Sequence, residues 1–405
     1  MSYKYKRIFV IVADSAGIGY EPDADKYFNG DTNDVGTNTI VHISEKMEGG
    51  LKVPTMNAMG LGELGPVVGT TKVAHPHAYC ARARERSNGK DTMTGHWEMM
   101  GVHTTKPFMT FTDNGFPKEL MDELEARTGH KCIGNYSASG TEILKELGEE
   151  QMRDNSLIVY TSADSVLQIA AHEEVTGVPE LYRCCEIARD ICMKPEWMVG
   201  RIIARPYVGT DKTNFKRTPN RHDIALKPGV PTVMNVLQDN GFMVDCVGKI
   251  GDIFDQYGVV KTQKTVSNED GMDKTIGEAK NCDFTGLCFT NLVEFDSEFG
   301  HRRNVQGYGE CLEAFDKRLA ELLEVLHDDD LVIVTADHGN DPTWAGTDHT
   351  REKIPLLMYS KSIKNGRYID ERACFGDIGA TILKNFGLEK PANLIGEPIE
   401  ELLND

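Results

Sequence analysis

The chain lacks the marks of several large protein classes. No Cys-x-x-Cys pair occurs among its 10 cysteines, which are scattered apart from the adjacent Cys184 and Cys185. Neither zinc-knuckle spacing nor a secreted disulfide framework is therefore present, and a reducing cytoplasm is the expected setting. Positive charge is in deficit: 44 Lys+Arg stand against 63 Asp+Glu, a net charge of −19. That field repels phosphate backbones and anionic lipid heads, so neither a nucleic-acid nor a membrane partner is expected. Long apolar runs are also missing. The stretch 8–13 follows Lys4, Lys6 and Arg7 but stops at Asp14, too short for a signal segment or a membrane span. No repeat at solenoid periods and no low-complexity tract interrupts the chain.

What is present fits a globular protein of two or three domains, 405 residues long with 40% hydrophobic residues. Short β-branched runs at 7–13, 157–163, 243–247, 287–295, 331–336 and 356–359 read as buried parallel strands. Amphipathic helices alternate with most of them, at 117–128, 179–193, 231–239, 306–327 and 377–386. The pattern predicts an α/β fold, a mostly parallel sheet with helices on both faces. Between about 105 and 222 strands become sparser and Gly-, Pro-, Thr- and Asn-rich loops intervene. This stretch reads as a smaller domain inserted into a discontinuous core formed by 1–104 and 223–405.

Four expected strands end in an acid: Asp14, Asp164, Asp296 and Asp337. In an open α/β sheet the carboxyl ends of strands form the binding crevice, so such acids can converge. A single strand-end acid is more often a turn or capping residue. Here histidines accompany the set: His301 follows Asp296, His338 follows Asp337 directly, and His349 lies in Gly-Thr-Asp-His-Thr. Carboxylates and imidazoles from separate loops suit borderline divalent cations. Asp14, Asp296, His301, Asp337, His338 and His349 are enough for two metals with open positions.

Paired cations in such a site clamp the attacking and leaving oxygens of a phosphoryl displacement, which needs an oxygen nucleophile or a water. The loop at 89–101 offers two hydroxyls, Thr92 and Thr94, among glycines that allow close approach. A candidate phosphate-binding stretch lies at 201–222, where Arg201, Arg205, Lys212, Lys216, Arg217 and Arg221 stand against a single acid, Asp211. Guanidinium forks grip phosphate oxygens in pairs. Lys249 is a weaker candidate beyond the strand at 243–247. Pro22 breaks a dinucleotide fingerprint after Gly17 and Gly19, and Asp91 after Lys90 breaks a P-loop. His75 and His77 flank Pro76 in what reads as a surface turn, and Met99 and Met100 read as packing. His172 and His222 read as structural or positioning residues.

With these residues assembled, the chain resembles the alkaline phosphatase superfamily and, within it, the bacterial phosphopentomutase family. The resemblance spans nearly the whole sequence. It rests on Val-Ala-Asp-Ser-Ala-Gly-Ile-Gly at 12–19, Gly-Lys-Asp-Thr-Met-Thr-Gly-His-Trp-Glu at 89–98, and Tyr-Thr-Ser-Ala-Asp-Ser-Val-Leu-Gln at 160–168. Further matches are Gly-Arg-Ile-Ile-Ala-Arg-Pro at 200–206, Asn-Arg-His-Asp at 220–223 and Phe-Asp-Ser-Glu-Phe-Gly-His-Arg-Arg at 295–303. Thr-Ala-Asp-His-Gly-Asn-Asp-Pro at 335–342 and Gly-Thr-Asp-His-Thr-Arg-Glu at 346–352 complete the set.

The resemblance implies an alkaline-phosphatase-like core bearing two metals, with Mn2+ expected and other divalent ions possible. Asp14, Asp337 and His338 would hold one with Thr92; Asp296, His301 and His349 would hold the other. It further implies Thr92 as the nucleophile and an inserted cap that closes over the substrate. Ser162, Asp164, Arg201, Arg217, Arg221 and Lys249 would bind that substrate, Asp164 through the ribose. The implied reaction interconverts ribose 1-phosphate and ribose 5-phosphate, and the 2-deoxyribose pair, through phosphothreonine and a 1,5-bisphosphate. A trace of bisphosphorylated sugar would prime the threonine. A phosphatase or phosphoglycerate-mutase-like enzyme on the same core is the alternative, and a non-catalytic sugar-phosphate-binding protein comes from another class. The partner implied is a small pentose phosphate; the oligomeric state is left open, a monomer included.

Overall fold

The run Arg-Ile-Phe-Val-Ile-Val-Ala forms a strand, Arg7–Ala13, buried along its whole length. A continuous apolar run of this kind marks a strand covered on both faces. In the computed structural model, which describes residues 3–162 and 165–405, this strand is central to a seven-stranded sheet. Its order is Lys261–Gln263, Met243–Val247, Gly286–Leu292, Arg7–Ala13, Asp330–Thr335, Ile354–Tyr359 and Ala78–Ala83. The first five pair in parallel. One group of packed helices comprises Thr39–Lys46, Pro54–Ala58, Asn268–Asn281 and Val305–Val325; a second comprises Thr92–Met99, Val233–Asp239, Ile250–Ile253 and Asp377–Asn385. Together with the sheet they form an α/β core.

Several local expectations need correction. The strand at 356–359 is longer, Ile354–Tyr359, and runs antiparallel to both of its neighbours. No crossover helix separates it from Asp330–Thr335, and without one the chain can return only in the opposite direction. The strand expected to reach residue 295 ends at Leu292, and Asp296 lies in a π-helical turn, Phe295–Gly300. Asp296 is therefore not a strand-end acid. His75 is buried, its Nδ1 2.8 Å from the Ala78 carbonyl, so the Pro76 turn is tucked in at that side.

The chain divides into two units, 1–107 with 228–405 and 108–227. The strand His222–Ala225 pairs with Arg201–Val208 inside the smaller unit's sheet. A boundary at residue 223 would cut that strand, so the return to the larger unit comes after it. The smaller unit is richer in strands than its loops imply. Its sheet runs His222–Ala225, Arg201–Val208, Val166–His172, Leu157–Thr161 and Cys132–Ser137, with Lys216–Arg217 also paired to Arg201–Val208.

Alternation divides this sheet's side chains between two cores, as the two-residue period of a strand requires. Leu157, Val159, Leu167, Ile169, Ile202 and Ala204 meet helices Lys118–Thr128 and Val178–Ile191. Ile158, Tyr160, Ala170 and Tyr207 meet Ile143, Leu144 and Phe215 on the other face. His172 is buried here, its Nε2 2.9 Å from the Gly209 carbonyl, and the His222 ring lies 5.0 Å from that of Tyr182. Both fit structural roles.

Candidate metal centre

Register brings the first acids together. Ala13 pairs with Leu292 and Val12 with Thr335, so three strands finish side by side, and Asp14 and Asp337 follow two of them. Both acids are buried. Ser15, next to Asp14, takes a left-handed backbone at φ 71° and donates its N–H to Asp337 Oδ1 at 2.9 Å. A non-glycine residue held there marks a segment over-determined by its surroundings.

Two clusters result. His338 Nε2 lies 3.6 Å from Asp14 Oδ1 and 3.2 Å from Asp337 Oδ2, and its Nδ1 is 2.9 Å from the Gly339 carbonyl. Beyond it, Asp296 lies 3.0 Å from His301 Nε2 and 3.5 Å from His349 Nε2, and the two imidazole Nε2 atoms are 3.1 Å apart. The His338 and His349 rings, 4.0 Å between centroids, join the clusters. All six sequence candidates are thus brought together.

The donor set fits divalent cations on two grounds. Among the described residues Asp14 Oδ1 and Asp337 Oδ2 are buried without a hydrogen bond, though His96 Nδ1 also lies 3.2 Å from Asp337 Oδ2; this is a costly state for a carboxylate oxygen that a cation would relieve. Charge is also crowded: burial, followed by Asp337 and Asp296, pushes the Asp14 carboxyl well up. Burial opposes ionisation of Asp296 as well, but His349 and His301 outweigh it and hold that carboxyl low. Three carboxylates and three imidazoles in one crevice are the mixed oxygen and nitrogen ligands that such metals accept.

The two hydroxyls of the 89–101 loop separate clearly. Asp91 caps the helix Thr92–Met99, accepting from Thr94 N at 3.1 Å and from Thr94 Oγ1 at 2.6 Å. Thr94 is thereby occupied. Thr92 occupies the first helical position, where unpaired N–H groups favour an anionic group, and its Oγ1 is 3.1 Å from His338 Nε2. Gly89 permits the turn, since a Cβ there would lie 2.7 Å from Thr94 Oγ1.

Several supporting residues carry no signal of their own in the sequence. Asn340 Nδ2 donates to Asp296 Oδ1 at 2.7 Å, and Asn29 holds the His349 loop through the His349 carbonyl and Asp348 N. Arg351 is buried and donates to Glu85 and to the carbonyls of Ser87 and Gly89, bracing the chain that enters the Thr92 helix. His96 lies one helical turn beyond Thr92, its Nδ1 2.8 Å from the Thr92 carbonyl. The i, i+4 spacing of Thr92 and His96 is the signal that could have found it.

Substrate candidates are placed less tightly. Lys249 is exposed at the carboxyl side of Met243–Val247, on the same sheet edge as Asp14. In the smaller unit Ser162 follows Leu157–Thr161, and Asp164 lies outside the described residues. Arg221 is paired with Asp223 at 2.6 Å, and Arg201 is 3.9 Å from the same acid. Arg217 lines a cavity of about 310 Å³ with Thr141, Leu144, Phe215 and Lys216.

Residues 6–390 match the family described as the Metalloenzyme superfamily. A phosphopentomutase of Clostridium perfringens is 58% identical over 396 residues, covering 98% of each chain. One from Clostridium botulinum is 55% identical over 400 residues, covering 99% of each. The chain belongs to the phosphopentomutase family. Membership makes it a metal-dependent isomerase, and the two clusters around His338 are where its residues fit divalent metal. Among solved structures, the PH0037 protein of Pyrococcus horikoshii superposes with a TM-score of 0.49 at 11% identity, over 96% of this chain and 99% of that one.

Proposed function

We propose that this enzyme interconverts ribose 1-phosphate and ribose 5-phosphate, and the 2-deoxyribose pair, with Thr92 as the residue that accepts and returns the phosphoryl group. The observation that carries the reading is Thr92 Oγ1 at the start of a helix, 3.1 Å from His338 Nε2, which itself lies 3.6 Å from Asp14 Oδ1 and 3.2 Å from Asp337 Oδ2. Asp14, Asp337 and His338 with Thr92, and Asp296, His301 and His349, are the proposed ligand sets for two ions, Mn2+ by preference. When bound, such ions neutralise developing charge on the transferred group and ease deprotonation of a hydroxyl.

The remaining chemistry belongs to the chain. Phosphothreonine at 92 gives its phosphoryl group to the C1 hydroxyl of ribose 5-phosphate, whose proton leaves, forming a 1,5-bisphosphate. Return of the 5-phosphoryl group to Thr92 leaves ribose 1-phosphate and restores the phosphoenzyme. The helix N-terminus favours the phosphate on Thr92, and its N–H groups are positioned before the reaction begins. A bisphosphorylated sugar is the proposed primer. Ser162, Asp164, Arg201, Arg217, Arg221 and Lys249 are the proposed contacts to the pentose phosphate. The ten cysteines stand as free thiols, which supports the cytoplasm as the compartment.

Phosphorus NMR of the purified enzyme with ribose 5-phosphate, Mn2+ and a trace of sugar bisphosphate tests the reading. An anomeric ribose 1-phosphate signal without inorganic phosphate is the expected result. Inorganic phosphate as the sole product would make the protein a phosphatase.

A further inference from the structure

Asn291 is buried within Gly286–Leu292, and its amide nitrogen meets two partners. Nδ2 lies 2.8 Å from Asp14 Oδ2 and 3.2 Å from His96 Nε2. A carboxylate oxygen only accepts, so the NH2 end of Asn291 faces Asp14, and its second proton is available to Nε2. That nitrogen must then carry a lone pair. A neutral imidazole with a bare Nε2 holds its proton on Nδ1, which is the atom 2.8 Å from the Thr92 carbonyl and 3.2 Å from Asp337 Oδ2, two acceptors. The opposite tautomer would set N–H against N–H at Asn291 and leave the Thr92 carbonyl facing a lone pair. Asn291 Oδ1 is buried with no hydrogen-bond partner among the described residues, so the amide is oriented by its donor side. The His96 ring is fully buried against Phe289, with 5.8 Å between centroids.

Resting on the reading of Thr92 as nucleophile, we infer that Asn291 and His96 form a positioning relay from Asp14 to Thr92. Asn291 selects the Nδ1–H tautomer of His96, and His96 fixes the first turn of Thr92–Met99 so that Thr92 Oγ1 is held toward His338. Both residues act through Thr92, Asp14 and Asp337, and neither belongs to the proposed ligand sets. A displacement of about 1 Å at a reacting group can cost on the order of 100-fold in rate, which sets the scale of the effect.

Two measurements test the relay. In the first, nitrogen NMR of chelator-treated protein carrying ring-labelled histidine reports the His96 tautomer, assigned by the signal missing in His96→Asn. A proton on Nδ1 and a bare Nε2 in the wild type, with mixed tautomers in Asn291→Leu, is the expected pattern. An Nε2–H tautomer in the wild type would overturn the inference.

The second compares isosteres in the metal-loaded enzyme, because an asparagine amide mimics a donor at Nδ1 whereas a glutamine amide mimics one at Nε2. His96→Gln and His96→Ala should lose about 100-fold in kcat with KM within about threefold and metal content unchanged, while His96→Asn stays within about tenfold of wild type. Equal losses in His96→Asn and His96→Gln, or loss of bound metal from either, would refute it. If the wild type does not interconvert the pentose phosphates, the functional reading fails and the tautomer measurement alone decides the relay.

Discussion

Gly95 packs so tightly on Asp337 that a Cβ at position 95 would overlap the Asp337 carbonyl oxygen. The helix bearing Thr92 can approach the strand end bearing a proposed metal ligand only because this residue has no side chain. Gly95→Ala should therefore push helix and strand apart. Overpacking of this kind costs about 1–3 kcal/mol, and the displacement should lower turnover far more than it lowers stability. Thermal unfolding together with kcat measures both; a variant with wild-type kcat would contradict the close-approach argument.

Thr92 and Thr94 should behave oppositely as alanine variants. Thr92→Ala should abolish turnover and any phosphoryl label on the protein while retaining bound metal. Thr94→Ala loses a hydrogen bond to the Asp91 cap and should cost about 1 kcal/mol of stability, with the label on Thr92 preserved. Mass spectrometry of the primed enzyme distinguishes the two.

Removal of Asp337 takes away a buried carboxylate oxygen, Oδ2, that lies 3.2 Å from both His338 Nε2 and His96 Nδ1 but accepts no hydrogen bond among the described residues. Asp337→Ala should bind one metal ion fewer and lose almost all activity, with its fold intact. Elemental analysis of the purified variant checks the metal count, and two ions still bound would remove Asp337 from the ligand set.

Arg351 and Glu85 form a buried pair at 2.6 Å. Breaking such a pair strands a charge and costs about 3–5 kcal/mol. Arg351→Met should reach that range in chemical denaturation and should also loosen the Gly89 carbonyl, so that kcat falls along with stability. A loss below about 1 kcal/mol would mean that the Glu85 carboxyl is not stranded when its partner goes.

Glu21 contributes a pH dependence of stability. Burial raises its carboxyl from 4.5 to about 7, against the opposing pull of the Glu85 N–H and of Arg351. The folded state thus holds this proton more tightly than the unfolded chain does. The stability linked to it is fully present below 4.5 and is lost as pH rises through about 7. Glu21→Gln should flatten that decline, and melting temperatures of both proteins at about pH 5 and pH 8 measure the difference.

Much of the candidate site was legible because its chemistry is concentrated at the ends of apolar runs. The strand Arg7–Ala13 is buried on both faces, so its sequence stays apolar until Asp14 interrupts it, and Asp330–Thr335 leads to Asp337 and His338 in the same way. Asp296 was identified by its residue type although its local structure differs, since a π-helical turn separates it from Leu292. The smaller unit was harder to read. Arg201–Val208 carries two arginines and a proline in its strand, so no apolar run announces it. The brace from Arg351 and the Asn291–His96 contact have no local signature, because their partners come from distant parts of the chain.

By itself, the sequence determined the mostly parallel α/β core, the six candidate ligands and the two hydroxyls from which a nucleophile could come. Residue type and hydrophobic period are local properties, and they survive in one dimension. The tertiary structure decided that Thr92 and not Thr94 faces His338, that Asp14 and Asp337 are gathered beside it, and that Asn291 reaches both Asp14 and His96. Those outcomes depend on strand register, on the Asp91 cap and on the bare backbone of Gly95. Distances near 3 Å between residues far apart in the chain arise only when the packed core fixes all of these at once.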